Sequence, residues 1–131
     1  MSKTWCSAPF QHLHITPVGD VKPCCVYQGK PFGNVNYRSM DKIFNSAKYK
    51  IIRKQFLEGK KPAGCHACFE REAVGLESPR GTWQEKYITE KNYNMPIKFD
   101  SFDIRNTNLC NLKCQTCGPG YSSLINNGVE I

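Results

Sequence analysis

Three cysteines fall within eight positions of the segment LCNLKCQTCGPG, at Cys110, Cys114 and Cys117, and no fourth lies nearby. Thiols gathered this closely serve metals or redox chemistry, and their number decides which. A structural zinc site takes four protein ligands, and a catalytic one takes three plus water. A four-iron cluster held by three thiolates keeps one iron open, and that opening is a place for a ligand to bind. The other five cysteines, Cys6, Cys24, Cys25, Cys65 and Cys68, are dispersed through the first half of the chain.

Eight cysteines in 131 residues would suit a disulfide scaffold in a secreted protein. The opening MSKTWCSAPF lacks the apolar run of a secretory signal, and no stretch approaches the roughly 18 apolar residues of a membrane helix. The expected setting is cytoplasmic and reducing, where the same cysteine density points to metal binding or catalysis. A content of 40% hydrophobic and 22% charged residues fits a folded domain rather than a disordered chain. The net charge of +7 is concentrated between Arg38 and Lys61, where eight basic residues face only Asp41 and Glu58. That stretch also carries a helical pattern, so it reads as a solvated helix face rather than a nucleic-acid patch. Thiolate-held clusters would cancel part of the positive charge.

The elements that must position these thiols follow from local signals. LHITPVGDVKPCC has short β-prone runs on either side of a Pro-Val-Gly-Asp turn, which predicts a hairpin from about Leu13 to Pro23 that delivers Cys24 and Cys25. Ser39 caps a short helix through Phe44, and Ser46 caps a longer one that ends near Glu58 with Gly59 as its stop. Tyr49, Ile52 and Phe56 give the longer helix a buried stripe. KPAGCHACFERE is a loop carrying Cys65 and Cys68, followed by a helix into which Phe69 and Val74 pack. Ser78 and Pro79 start another helix with Trp83 and Tyr87 on one face. IKFDSFDIR is β-prone and reads as a strand leading directly into the cysteine trio. Thiols on a loop at the C-terminal end of a strand occupy the position where α/β folds place their chemistry.

The words TNLCNLKCQTCGP resemble the radical S-adenosylmethionine (radical SAM) superfamily, whose signature is a CxxxCxxC loop after the first strand of a partial βα barrel. The resemblance implies a [4Fe-4S] cluster on Cys110, Cys114 and Cys117 with SAM on its open iron. It further implies reductive cleavage of SAM to a 5′-deoxyadenosyl radical that abstracts hydrogen from a substrate. The position before the third cysteine, commonly aromatic in that superfamily, is Thr116 here.

The dispersed cysteines sit in a second resemblance. CSAPFQHLHITPVGDVKPCC, then SMDKIFNSAKYKIIRKQFLEG, then CHACFERE is similar to the SPASM and twitch domains that carry auxiliary iron-sulfur clusters in radical SAM enzymes. It implies an auxiliary [4Fe-4S] cluster on Cys6, Cys24, Cys65 and Cys68. Neighbouring strand residues point to opposite faces, so Cys25 stays open as an alternative to Cys24. His12, His14 and His66 read as ordinary hydrogen-bonded histidines.

The fold class expected is α+β. Residues 1–77 form a SPASM/twitch-like module of a hairpin plus helices, 78–98 a polar helical linker, and 99–131 the first strand and cluster loop of an incomplete radical SAM barrel. In that family the auxiliary domain usually follows the barrel, whereas here it comes first. A six-unit partial barrel takes on the order of 200 residues, at about 30 per strand-helix unit. Only fourteen residues follow Cys117, so the chain reads as the front end of an enzyme, catalytically incomplete by itself. The partners implied are an electron donor such as a flavodoxin or ferredoxin, and a substrate the sequence does not name, a peptide being one class it allows. No membrane and no nucleic acid are expected. A competing reading is a noncatalytic module with structural zinc on Cys6, Cys24, Cys65 and Cys68 and a basic helix that contacts nucleic acid.

Overall fold

The Pro-Val-Gly-Asp turn forms where its residues require it. In a computed structural model, which describes residues 3–84, 99, 101–105, 109, 115 and 118, Gly19 takes φ +89°. A Cβ there would meet Asn36 Nδ2 at 2.6 Å and Asn34 Oδ1 at 2.9 Å, so only glycine closes the turn. The turn joins β1 (His12–Ile15) to β2 (Asp20–Lys22), antiparallel with Ile15 opposite Val21. Strand β3 (Gly33–Asn34) adds beyond β2. Strand β4 (Ser101–Ile104) lies parallel to β1 on the other side, giving the order β3-β2-β1-β4. The strand read as the start of a separate unit is therefore hydrogen-bonded to the hairpin. His12 and His14 of β1 contact Ser101 and Asp103 of β4 at 2.9 and 3.0 Å, leaving Phe102 and Ile104 on its more exposed face.

Five helices surround the sheet among the described residues. Helix α1 (Ala8–Gln11) leads into β1, and α2 (Met40–Phe44) starts at Ser39, whose hydroxyl accepts the Lys42 N–H at 3.3 Å. Such a cap is worth about 1 kcal/mol. Helix α3 (Ala47–Leu57) follows Ser46, whose backbone is extended as an N-cap requires, but whose hydroxyl is buried and makes no capping bond. The expected stripe of Tyr49, Ile52 and Phe56 is buried, each worth about 1.5–3 kcal/mol. Lys48, Lys50 and Lys54 face water. Tyr49 Oη donates to the His12 carbonyl at 3.0 Å and so fixes α3 over β1.

After a 3-10 turn (Ala63–Cys65) comes α4 (His66–Ala73), so Cys68 lies in the first turn of a helix rather than in the loop before it. Phe69 packs against the core, but Val74 does not: at the C-cap of α4 it is 73% exposed, because the helix stops before another turn could carry it inward. Helix α5 (Pro79–Gln84) begins where expected, while Tyr87 lies outside the described residues. Among the described residues no helix is long and apolar enough to cross a membrane.

Arg53 breaks the apolar stripe of α3 from inside. Only 6% exposed, it donates to the Pro9 carbonyl at 2.7 Å and the Phe44 carbonyl at 2.6 Å, and its guanidinium stacks on the Phe44 ring. Burial lowers its pKa to about 10, which leaves it charged at neutral pH. It ties α1, α2 and α3 together. Arg53→Met keeps the packing stem but strands two buried carbonyls, and the expected loss is about 2 kcal/mol, read as a lower midpoint in urea unfolding of the metal-loaded protein.

Candidate metal centre

Four of the thiols come from three separate segments that the fold draws together. Cys6 precedes α1, Cys24 follows β2 after Pro23, and Cys65 and Cys68 lie three residues apart at the start of α4. That spacing puts the last two on one face of a helical turn. The Cys24 segment is pinned to the Cys65 segment by Gln28 N–H donating to the Gly64 carbonyl at 2.9 Å. Gly64 also lies flat against the Tyr27 ring, where any Cβ would collide with the aromatic carbons.

The Cys6 and Cys68 segments are clamped from α5. Arg80 Nη1 donates to the Trp5 carbonyl at 2.7 Å, while Nε and Nη2 grip the Glu72 carboxylate of α4 at 2.9 and 2.6 Å. The paired guanidinium holds the Glu72 carboxyl below the usual carboxylate range. Ser78 donates to the same carboxylate at 2.5 Å, and Ser7 Oγ donates to the Trp83 carbonyl at 2.6 Å.

The result is one cavity lined by Cys6, Cys24, Cys65 and Cys68, walled by Val26, Tyr27, Phe56 and Trp83 and closed by Pro79 and Arg80. The described cysteines form no disulfide. Burial in these apolar walls pushes the Cys24 thiol up to about 11 and the Cys65 thiol up to about 12, with repulsion from neighbouring thiolates adding to the shift. Cys6 is raised further still by burial, against an opposing hydrogen bond from the Ala8 backbone. Backbone groups of Val26 and Tyr27 do the same for Cys24. Thiols at Cys6, Cys24 and Cys65 whose charged forms burial and one another disfavour, with amide donors aimed at two of them, suit a cationic group placed between them.

Among the described residues no group of three His, Cys, Asp or Glu side chains is placed to hold a metal ion, and the four thiols border a shared cavity instead. A single zinc ion would need its sulfurs drawn to within about 4 Å of one another, each about 2.3 Å from the metal.

Cys25 is exposed and lies outside the cavity lining, near Asp103 and Arg105. The three histidines lie outside that lining as well. His12 stacks on Trp83 and contacts Ser101, His14 pairs with Asp103, and His66 Nδ1 meets the Ala63 carbonyl at 2.9 Å. Burial lowers the His14 pKa, and the neighbouring Asp103 opposes that shift. Cys110, Cys114 and Cys117 lie outside the described residues. Arg80 and Tyr27 are site residues that periodicity and motif spacing do not reveal, while Phe56 and Trp83, expected on apolar helix faces, turn out to line the cavity. Arg80 in particular sits eight positions from Glu72 across a turn, so no helical pairing rule connects them.

Residues 6–69 match the family model of SPASM, an iron-sulfur cluster-binding domain. The match begins at Cys6 and ends one residue beyond Cys68, so it contains all four thiols of the cavity. No curated protein and no solved structure matches the chain. The domain match supports an iron-sulfur-binding protein.

Proposed function

We propose that Cys6, Cys24, Cys65 and Cys68 hold an auxiliary [4Fe-4S] cluster, and that Cys110, Cys114 and Cys117 hold a second one of the radical SAM type, in a chain that contributes to SAM-dependent radical chemistry. The observation that carries the reading is the convergence of four thiols from three segments on one apolar cavity, inside the residues that match an iron-sulfur domain. The donor set fits: four sulfur ligands, the number a closed four-iron cluster takes, with no disulfide competing for them. When bound, such a cluster supplies a one-electron carrier.

The surrounding residues have separate tasks. Val26, Phe56 and Trp83 keep water from the sulfurs, and the amide donors to Cys6 and Cys24 hold negative charge on sulfur, two of the levers that set a cluster's potential. Arg80 positions the Trp5 backbone beside Cys6 and α4 beneath Cys68. Residues 99–131 are proposed to open a radical SAM core, with an electron donor such as a flavodoxin or ferredoxin as partner and a reducing compartment as the setting.

Metal analysis tests the reading directly. Chain reconstituted anaerobically with iron and sulfide should be brown and bind roughly eight iron atoms, four per cluster. A colourless protein purified with stoichiometric zinc and refusing iron would overturn it in favour of a zinc module.

A further inference from the structure

Beyond the carboxyl ends of β1 and β4 lies an open crevice of about 570 Å³ that shares no lining residue with the cysteine cavity. These two strands are the parallel pair of the described sheet, and in open α/β sheets ligands bind in the crevice outside the carboxyl ends of the strands. The volume lies within the range of small-molecule sites. Ile15 and Ile104 end the two strands at one wall, and Val35, just after β3, and Met40, the first residue of α2, line it as well.

The rim is already held in place. Thr16 Oγ1 accepts the Asp20 N–H at 3.1 Å, Asn36 Nδ2 donates to the Val18 carbonyl at 3.2 Å, and Arg105 N–H donates to the Ile15 carbonyl at 2.9 Å. A site preorganised in this way loses little ordering entropy on binding.

Charge selects the ligand. Arg38 and Arg105 both line the crevice, and among the described residues no carboxylate does. Arg105 is engaged by Asp103, with Nε 3.1 Å from Oδ1, whereas among the described residues no ion pair involves the exposed Arg38. A planar guanidinium beside aliphatic walls matches a carboxylate carried on an apolar body. We propose that this crevice binds a small ligand with an apolar body and one carboxylate, held by Arg38. A free organic acid and the C-terminus of a peptide share that chemistry. The inference does not depend on which metal fills the cysteine cavity.

The test is titration of the full chain, anaerobically metal-loaded, with N-acetyl-leucine, its neutral amide, inorganic phosphate and the tripeptide Ala-Ala-Leu, followed by amide resonances of Thr16, Asn36 and Ser39. The acid should saturate these shifts, and the amide and phosphate should not. Arg38→Gln should weaken the acid about tenfold, equivalent to about 1.4 kcal/mol. Tighter binding of the tripeptide identifies a peptide C-terminus, and equal or weaker binding a free acid; either supports the site. Absence of saturable shifts with both carboxylates, equal binding of the amide or of phosphate, or an Arg38→Gln affinity equal to that of the parent would each overturn it. Arg38 is exposed, so the substitution leaves the core intact, and an unchanged melting temperature checks this.

Discussion

Cys65→Ser is expected to cost the chain both the iron of its N-terminal module and the cooperative unfolding of that module. The reason lies in what joins the segments. Cys6, Cys24 and the Cys65–Cys68 turn are held by a handful of hydrogen bonds around a cavity lined by the four thiols. Metal binding to a structural thiolate site contributes on the order of 10–16 kcal/mol in zinc-finger peptides. Whole domains are stable by only about 5–15 kcal/mol. Removing one of four ligands therefore takes away an interaction comparable to the entire stability, and leaves the other three thiols lining the cavity to be satisfied in its place.

Cys25→Ser is the matched control, because that thiol is exposed and outside the cavity lining. It should keep parental iron and melting. The measurement is iron and sulfide content beside far-UV circular dichroism melts, all anaerobic. Cys65→Ser protein with full iron and an unchanged transition would remove Cys65 from the site. Loss of iron in Cys25→Ser with retention in Cys24→Ser would exchange the roles of the two adjacent cysteines.

The hairpin, the Ser39 cap and the buried stripe of α3 were legible because each depends on neighbours in sequence. The turn needed a glycine at one position, the cap a hydroxyl three residues before an amide, and the stripe a period of 3.6. Val74 was misplaced because apolar character does not say where a helix stops, and α4 ended one residue before it. The pairing of β4 with β1 was not legible, because a parallel partner eighty-odd residues away leaves no local trace and its hydrogen bonds belong to the backbone.

For the candidate metal centre the division is similar. Residue type and spacing marked the thiols, and a family resemblance grouped them. Alternation along a strand could not choose between Cys24 and Cys25, whereas the fold places Cys24 in the cavity lining and Cys25 at the surface. Arg80 was hidden in a stretch read as linker. Its importance comes from a carbonyl 75 positions away and a carboxylate on another helix, contacts that exist only after folding.

Replacing Cys110, Cys114 and Cys117 together by Ala should halve the iron, from roughly eight atoms per chain to four, while the N-terminal module keeps its fold. The two thiol sets share no ligand in the proposed scheme, so the losses should be independent, unlike those of Cys65→Ser. The same variant should abolish any response to SAM. Three thiolates leave one coordination position open in the parent, so SAM added to the reduced protein should perturb the electron paramagnetic resonance of one cluster and leave the four-cysteine cluster unchanged. The response should saturate as SAM is titrated under anaerobic reduction. Loss of all iron in the triple variant, or of none, would refute two independent clusters. A parent spectrum indifferent to SAM at every concentration would refute the open iron.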